Sequence, residues 1–162
     1  TEYTAFNYIK NKKPELYKDV HIIRARGKAT IVSLVKILNQ FGSNYSVLHD
    51  SDRVLAKDRI KKSSAWGNNP NILNSVKASP DGTKVRLLAS LPNFEEAYFG
   101  EEIKLNKPYN ALQTISTDEH KFEIVEQLFK SLIDHSEAIP VNCSEWSSIE
   151  QLEADLLIVC PI

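Results

Sequence analysis

One stretch restricts the fold more than any other: VHIIRARGKATIVSLVKILNQFGSNYSVLHDSD, residues 20–52. Residues 20–25 have the β-branched density of a short buried strand. Gly27 interrupts that run and permits a tight turn. Residues 28–41 then set Ile31, Leu34, Val35, Leu38 and Phe41 at helical spacing, with Gly42 where a helix C-cap glycine belongs. A second β-rich run, residues 45–49, ends directly at Asp50. Strand, helix and strand within about thirty residues make a βαβ unit, and parallel strands need such a crossover and cover on both faces. The expected class is therefore α/β, a Rossmann-like parallel sheet flanked by helices.

The flanking sequence supplies that cover. Residues 4–11 place Ala5, Phe6 and Ile9 on one helical face, with Pro14 just beyond. Residues 53–66 are charged and turn-rich and are expected to form a loop or short helix. A helix is expected over residues 70–78, closed by Pro80-Asp81-Gly82, and a third strand over residues 85–89. Leu91-Pro92 and a short helical turn through Phe94-Glu95-Glu96 follow. Helices are then expected over residues 109–115, from Thr117 to about Ser136, and over 144–157, giving a helical C-terminal portion.

Composition excludes several classes. With 42% hydrophobic and 25% charged residues, the 162-residue chain has the balance of one globular domain. No apolar run approaches membrane-span length, and nothing resembles a secretory signal. Cys143 and Cys160 share no metal-ligand spacing, so a reducing, cytoplasmic setting is expected. The net charge of −1 argues against coating nucleic acid by bulk electrostatics. A nuclease is not excluded, since its site is acidic by necessity. The sequence contains no methionine and opens in what reads as a helix start, so it is expected to be a fragment.

The chemistry concentrates at Asp50-Ser51-Asp52. Ligands of open α/β sheets gather at the carboxyl ends of parallel strands. One intervening residue lets both carboxylates face one side while the chain stays extended. Two hard oxygen donors beside open coordination positions suit Mg²⁺ or Mn²⁺. A lone D-x-D is also an ordinary turn sequence, and its position after an apolar strand is what favours a metal site. His49 should point to the opposite face from Asp50 and pack in the core. His21, His120 and His135 show no zinc-ligand pattern, and Trp66 reads as packing. Gly27-Lys28 lacks the spacing of a phosphate-binding P-loop, though Lys28 at a helix start could touch a DNA phosphate. Arg53, Lys57, Arg59, Lys61 and Lys62 form a basic stretch that could steer a nucleic-acid backbone, or simply be a solvated loop.

Taken together, residues 21–53 resemble the middle of a Toprim domain of the OLD (overcoming lysogenisation defect) family of ATP-dependent endonucleases, where a strand, a G-K turn and a helix lead into a strand ending in D-x-D. In that group an earlier glutamate sits in an E-G-x-T-E signature, and Thr1-Glu2 resembles its tail. RLLASLPNFEEAYFG resembles the family's later strand and acidic segment, and Lys107 in NKPYNAL its lysine near the scissile phosphate. The resemblance covers about residues 1–115. It implies a Toprim nuclease domain over residues 1–116, its first strand missing, and a helical extension of the same domain over 117–162.

The resemblance further implies metal-dependent DNA endonuclease or nickase activity at a two-metal Mg²⁺ or Mn²⁺ site, in bacterial or phage-directed DNA cleavage. Asp50, Asp52 and Lys107 would be catalytic, and Glu2, Asp50, Asp52 and Glu95 would hold metal, with Glu96 second choice to Glu95. Lys28, Arg53, Lys57 and Arg59 would contact nucleic acid. DNA and an N-terminal ABC-type ATPase domain would be partners, ATP binding only through that domain, and homo-oligomerisation is left open. The alternatives are a non-catalytic Mg²⁺-binding Toprim or receiver-like module, or a primase- or topoisomerase-type Toprim domain.

Overall fold

The computed structural model describes residues 1–56, 60–100 and 105–161. By compactness the chain forms two units, each built from segments distant in sequence: Thr1–Arg24 with Phe94–Val141, and Ala25–Asn93 with Asn142–Ile162.

The first unit is helical. Its elements are α1 (Glu2–Lys12), α2 (Pro14–Tyr17), α5 (Phe94–Phe99), α6 (Lys107–Thr117) and α7 (Glu119–Ile133). The i, i+4 spacing of Ala5 and Ile9, with Phe6 between, gives α1 the buried stripe read from the sequence. Phe6 stacks on Phe129 of α7 at a centroid distance of 4.9 Å and meets Phe94 edge-on at 6.0 Å. Such offset and edge contacts are favoured by the ring quadrupoles. One carboxylate is buried among them: Glu126 accepts from Lys13 Nζ at 2.8 Å and from the Tyr17 hydroxyl at 3.0 Å. Helix α7 begins at Glu119, two residues later than expected, because Asp118 caps it by accepting from Lys121 N.

The second unit is mixed α/β. Its elements are α3 (Lys28–Gln40), β1 (Tyr45–Asp50), α4 (Asn69–Lys77), β2 (Val85–Ser90), β3 (Cys143–Glu145) and α8 (Ile149–Val159). Among the described residues the strands form one sheet in the order β1-β2-β3. β1 and β2 are parallel, with Tyr45 opposite Val85 and Asp50 opposite Ser90, and β3 runs antiparallel to β2. The crossover between the parallel strands carries a short 3₁₀ turn, Trp66–Asn68, and α4. Val35, Val47, Ile72, Leu73, Leu87, Ala89, Trp146 and Leu152 belong to one continuous core on one face of this sheet.

The α/β class with a parallel pair, flanking helices and a helical C-terminal part stands as expected and is consistent with a Toprim architecture. Three local expectations do not. Residues 20–25 form no strand: they are irregular, and His21, Ile23 and Arg24 are exposed. β-branched density marks residues that suit a pleat, but a strand exists only where a ladder partner is found. The parallel unit is instead β1-α4-β2. In α3 the buried face is rotated toward Val35 and Asn39, leaving Phe41 79% exposed. Residues 144–157 are not one helix, because Cys143–Glu145 join the sheet before α8 begins.

Candidate functional site

β1 delivers the acidic triplet. Along residues 47–52 burial alternates strictly: Val47, His49 and Ser51 are buried, while Leu48, Asp50 and Asp52 are partly exposed. Within β1 the two-residue period sets Asp50 on the more accessible side, and Asp52, past the strand end, is partly exposed as well. His49 points the other way, as expected. Its Nδ1 lies 2.7 Å from the Asp50 carbonyl, which can only accept, so Nδ1 carries the proton. Burial, reinforced by the nearby Lys28 charge, drives the His49 pKa down to about 3 and keeps the ring neutral.

The turn after β1 is pinned from several directions. Ser51 N donates to Ser90 O at 2.9 Å, continuing the ladder, and Asp52 N donates to Pro92 O at 2.8 Å. The Ser51 hydroxyl, fully buried, donates to the same Pro92 carbonyl. Asp52 adopts a left-handed conformation with φ 59°, a region Asp tolerates better than most residues. From the start of α3, Lys28 reaches this turn. Gly27, with φ 129°, makes the bend into the helix in a region that L side chains rarely adopt. Lys28 Nζ lies 2.6 Å from Asp52 Oδ2 and 2.7 Å from Asn69 Oδ1, and donates to the carbonyls of Ser51 and Ala65 at 3.2 Å. Asn69 Nδ2 closes the ring by donating to Ser51 O at 2.9 Å.

The Lys28 side chain is only 12% exposed, so it is directed inward rather than toward solvent. Burial lowers its pKa, and the Asp52 carboxylate, aided by Asp50, opposes that shift. One ammonium does not exhaust Asp52, since a carboxylate offers about four acceptor sites and this one is 33% exposed. Arg53 turns its guanidinium to Cys160 Sγ at 3.3 Å. Lys57 and Arg59 lie outside the described residues.

Asp50 has a second neighbour that the sequence reading passed over. It is in register with Ser90, the last residue of β2, so the two side chains emerge side by side on one face. Ser90 is fully buried, and its hydroxyl has no hydrogen-bond partner among the described residues. The available signal was that RLLAS closes the strand paired with the D-x-D strand. Carboxylates, a hydroxyl and carbonyls are all hard oxygen donors, a set that fits Mg²⁺ or Mn²⁺.

The other expected residues lie in the helical unit, where three of its segments meet. Glu95 of α5 is almost completely buried. Its Oε1 accepts from Thr1 Oγ1 at 2.5 Å and from Lys107 Nζ, at the start of α6, at 2.9 Å. Burial raises the Glu95 pKa, but the hydrogen bonds from Thr1 and Lys107 outweigh it and hold the carboxyl below its ordinary value. Glu2 occupies the first turn of α1 with its carboxylate 3.3 Å from the Thr1 amino group. Glu96 is only partly buried, so the two adjacent glutamates face different surroundings. Thr1, Glu95 and Lys107 thus come together although 94 residues separate the first two.

Thr1-Glu2, the G-K turn into α3 and the β1 strand ending in D-x-D follow one another within a single stretch. Residues 1–52 match the OLD-like TOPRIM family. The family is described as the overcoming lysogenization defect protein-like TOPRIM domain, and the OLD-like TOPRIM match ends on Asp52, the last residue of the acidic triplet. No curated protein and no solved structure matches the chain significantly. Among the described residues no helix is long and apolar enough to cross a membrane.

Proposed function

We propose that the chain is the catalytic domain of a metal-dependent DNA endonuclease or nickase that hydrolyses phosphodiester bonds. One observation carries this reading: the OLD-like TOPRIM match ends on a D-x-D at the carboxyl end of a parallel strand, with both carboxylate residues partly exposed. A Mg²⁺ or Mn²⁺ ion there supplies charge neutralisation and an activated water. Asp50 and Asp52 provide the anionic oxygens that hold it. His49, neutral and buried, keeps a competing positive charge away from them. The hydrogen bonds on the Ser51 and Asp52 backbone fix the spacing of the pair before any ligand arrives, which lowers the ordering cost of binding.

In the helical unit, Glu95 and Glu2 are the further metal-holding carboxylates of this reading. Lys107, whose ammonium lies 2.9 Å from Glu95 Oε1, neutralises charge on the phosphate or on the leaving oxygen. Arg53, Lys57 and Arg59, in the basic stretch after the triplet, contact the DNA backbone. The family resemblance also supports an ATP-binding ABC-type domain as a partner and a cytoplasmic setting.

The Lys28–Asp52 ion pair supports a second reading, in which the ammonium already neutralises the pair and the module binds without catalysis. One experiment separates them. Supercoiled plasmid should be nicked in Mn²⁺ or Mg²⁺, and Asp50→Ala should abolish nicking. Cleavage that survives Asp50→Ala or excess chelator rules the nuclease mechanism out, while Mn²⁺ binding without any nicking favours the non-catalytic module.

A further inference from the structure

The Ser90 hydroxyl is out of place for a structural residue. It sits at the carboxyl end of the central strand, fully buried, with no partner among the described residues. Desolvating a hydroxyl without a hydrogen bond is unfavourable, and alanine would fill nearly the same space without that cost. Its neighbours on β2 that face the core, Leu87 and Ala89, are apolar, as a central strand requires. The strand register sets Ser90 directly beside Asp50, both side chains on one face. The Ser90 backbone carbonyl is separately engaged by Ser51 N at 2.9 Å, so the residue touches the triplet through its main chain as well. The other partnerless side-chain atoms of the unit, His49 Nε2, Arg86 Nε and Trp146 Nε1, belong to residues whose side chains make other polar or ring contacts.

We propose that Ser90 is a positioning residue of the divalent-cation site at Asp50 and Asp52, its hydroxyl accepting a hydrogen bond from a water bound to the ion. This deepens the function proposed above and rests on it. Mg²⁺ and Mn²⁺ retain several waters when held by one or two carboxylates, and those waters are strong donors in need of fixed acceptors. A neutral acceptor in register with Asp50 orients such a water without adding charge. Outer partners of this kind are worth about 10–100-fold in metal affinity.

The test is calorimetric titration of Mn²⁺ into the 162-residue chain, with thermal unfolding of the metal-free protein measured alongside. Ser90→Ala should weaken Mn²⁺ binding about tenfold while the metal-free midpoint stays level or rises. Ser90→Thr, which keeps the hydroxyl, should bind Mn²⁺ nearly as the parent does. A purely structural serine would give the opposite pattern, a lower metal-free midpoint and unchanged affinity, and that result overturns the assignment. Wild-type chain that binds Mn²⁺ and loses it in Asp50→Ala, but not in Ser90→Ala, likewise removes Ser90 while leaving the metal site standing. Absence of Mn²⁺ binding in the wild type refutes the metal site itself, and Ser90's role with it.

Discussion

At the scale of single residues, the most consequential side chain is Lys28. Its ammonium gathers Asp52, Asn69 and the carbonyls of Ser51 and Ala65, and so ties the start of α3 to the turn after β1. Removing the charge while keeping the length leaves an uncompensated carboxylate and strands Asn69 Oδ1, while the Ser51 and Ala65 carbonyls each lose one of two donors. Lys28→Met should therefore destabilise the chain by roughly 2–3 kcal/mol, an effect of the size found when buried polar partners are stranded. Urea denaturation, with the slope unchanged and the midpoint lowered, is the check. The same variant asks whether this lysine shapes the acidic turn or reaches DNA: a residue that only contacted phosphate would change salt-dependent binding and leave the midpoint where it was.

At the scale of elements, helix ends and their caps follow local chemistry closely. The C-terminus of α3 is closed by a Schellman arrangement, with Gly42 N bonded to Asn39 O and Ser43 N to Leu38 O, and Gly42 at φ 59°. An L side chain there costs about 1 kcal/mol. Gly42→Ala should lower the unfolding free energy by that amount. Helix α8 is capped by Ser148, whose hydroxyl accepts from Gln151 N. Ser148→Ala should cost about 1 kcal/mol as well, the usual worth of an N-cap. Thermal melts of both variants measure this, and the two losses should add, since the sites share no partner. The elements that local chemistry did not announce are those defined by pairing. Residues 20–25 have strand composition without a ladder, whereas Cys143–Glu145 have none of that composition and are a strand because β2 offers an open edge. The Ser144 hydroxyl then bonds Asp155 of α8, linking the short strand to the helix that follows.

At the scale of the whole molecule, acid should act through Glu126. Burial raises its pKa, but Lys13 and Tyr17 outweigh burial and hold it below the ordinary value of 4.5. A carboxylate depressed in the folded state adds stability that is complete above the unfolded pKa and is lost as pH falls through the folded one. The chain should thus lose stability as pH drops below about 4.5. Glu126→Gln should flatten that part of the profile while costing about 1–2 kcal/mol at neutral pH, a modest figure because Lys13 is itself 38% exposed to solvent. Unfolding followed from pH 7 to pH 3 in both proteins is the measurement. An unchanged acid limb in the variant would mean that other carboxylates dominate.

What the sequence determined by itself were the features carried by periodicity and local backbone chemistry. They include α1 with its Ala5, Phe6 and Ile9 stripe, the α3 helix with Gly27 before it and Gly42 after it, the strand ending on Asp50, and the placement of His49 opposite the acidic pair. These depend on residues a few positions apart, and a string of letters records such neighbours directly. The tertiary structure alone decided which β-rich run found a ladder, that Lys28 turns inward to Asp52, that Thr1 and Lys107 converge on Glu95, and that Ser90 lies beside Asp50. Each of these joins residues from 12 to more than 90 positions apart. Hydrogen bonds and register are fixed by where the backbone brings two groups, and composition at either end does not contain that information.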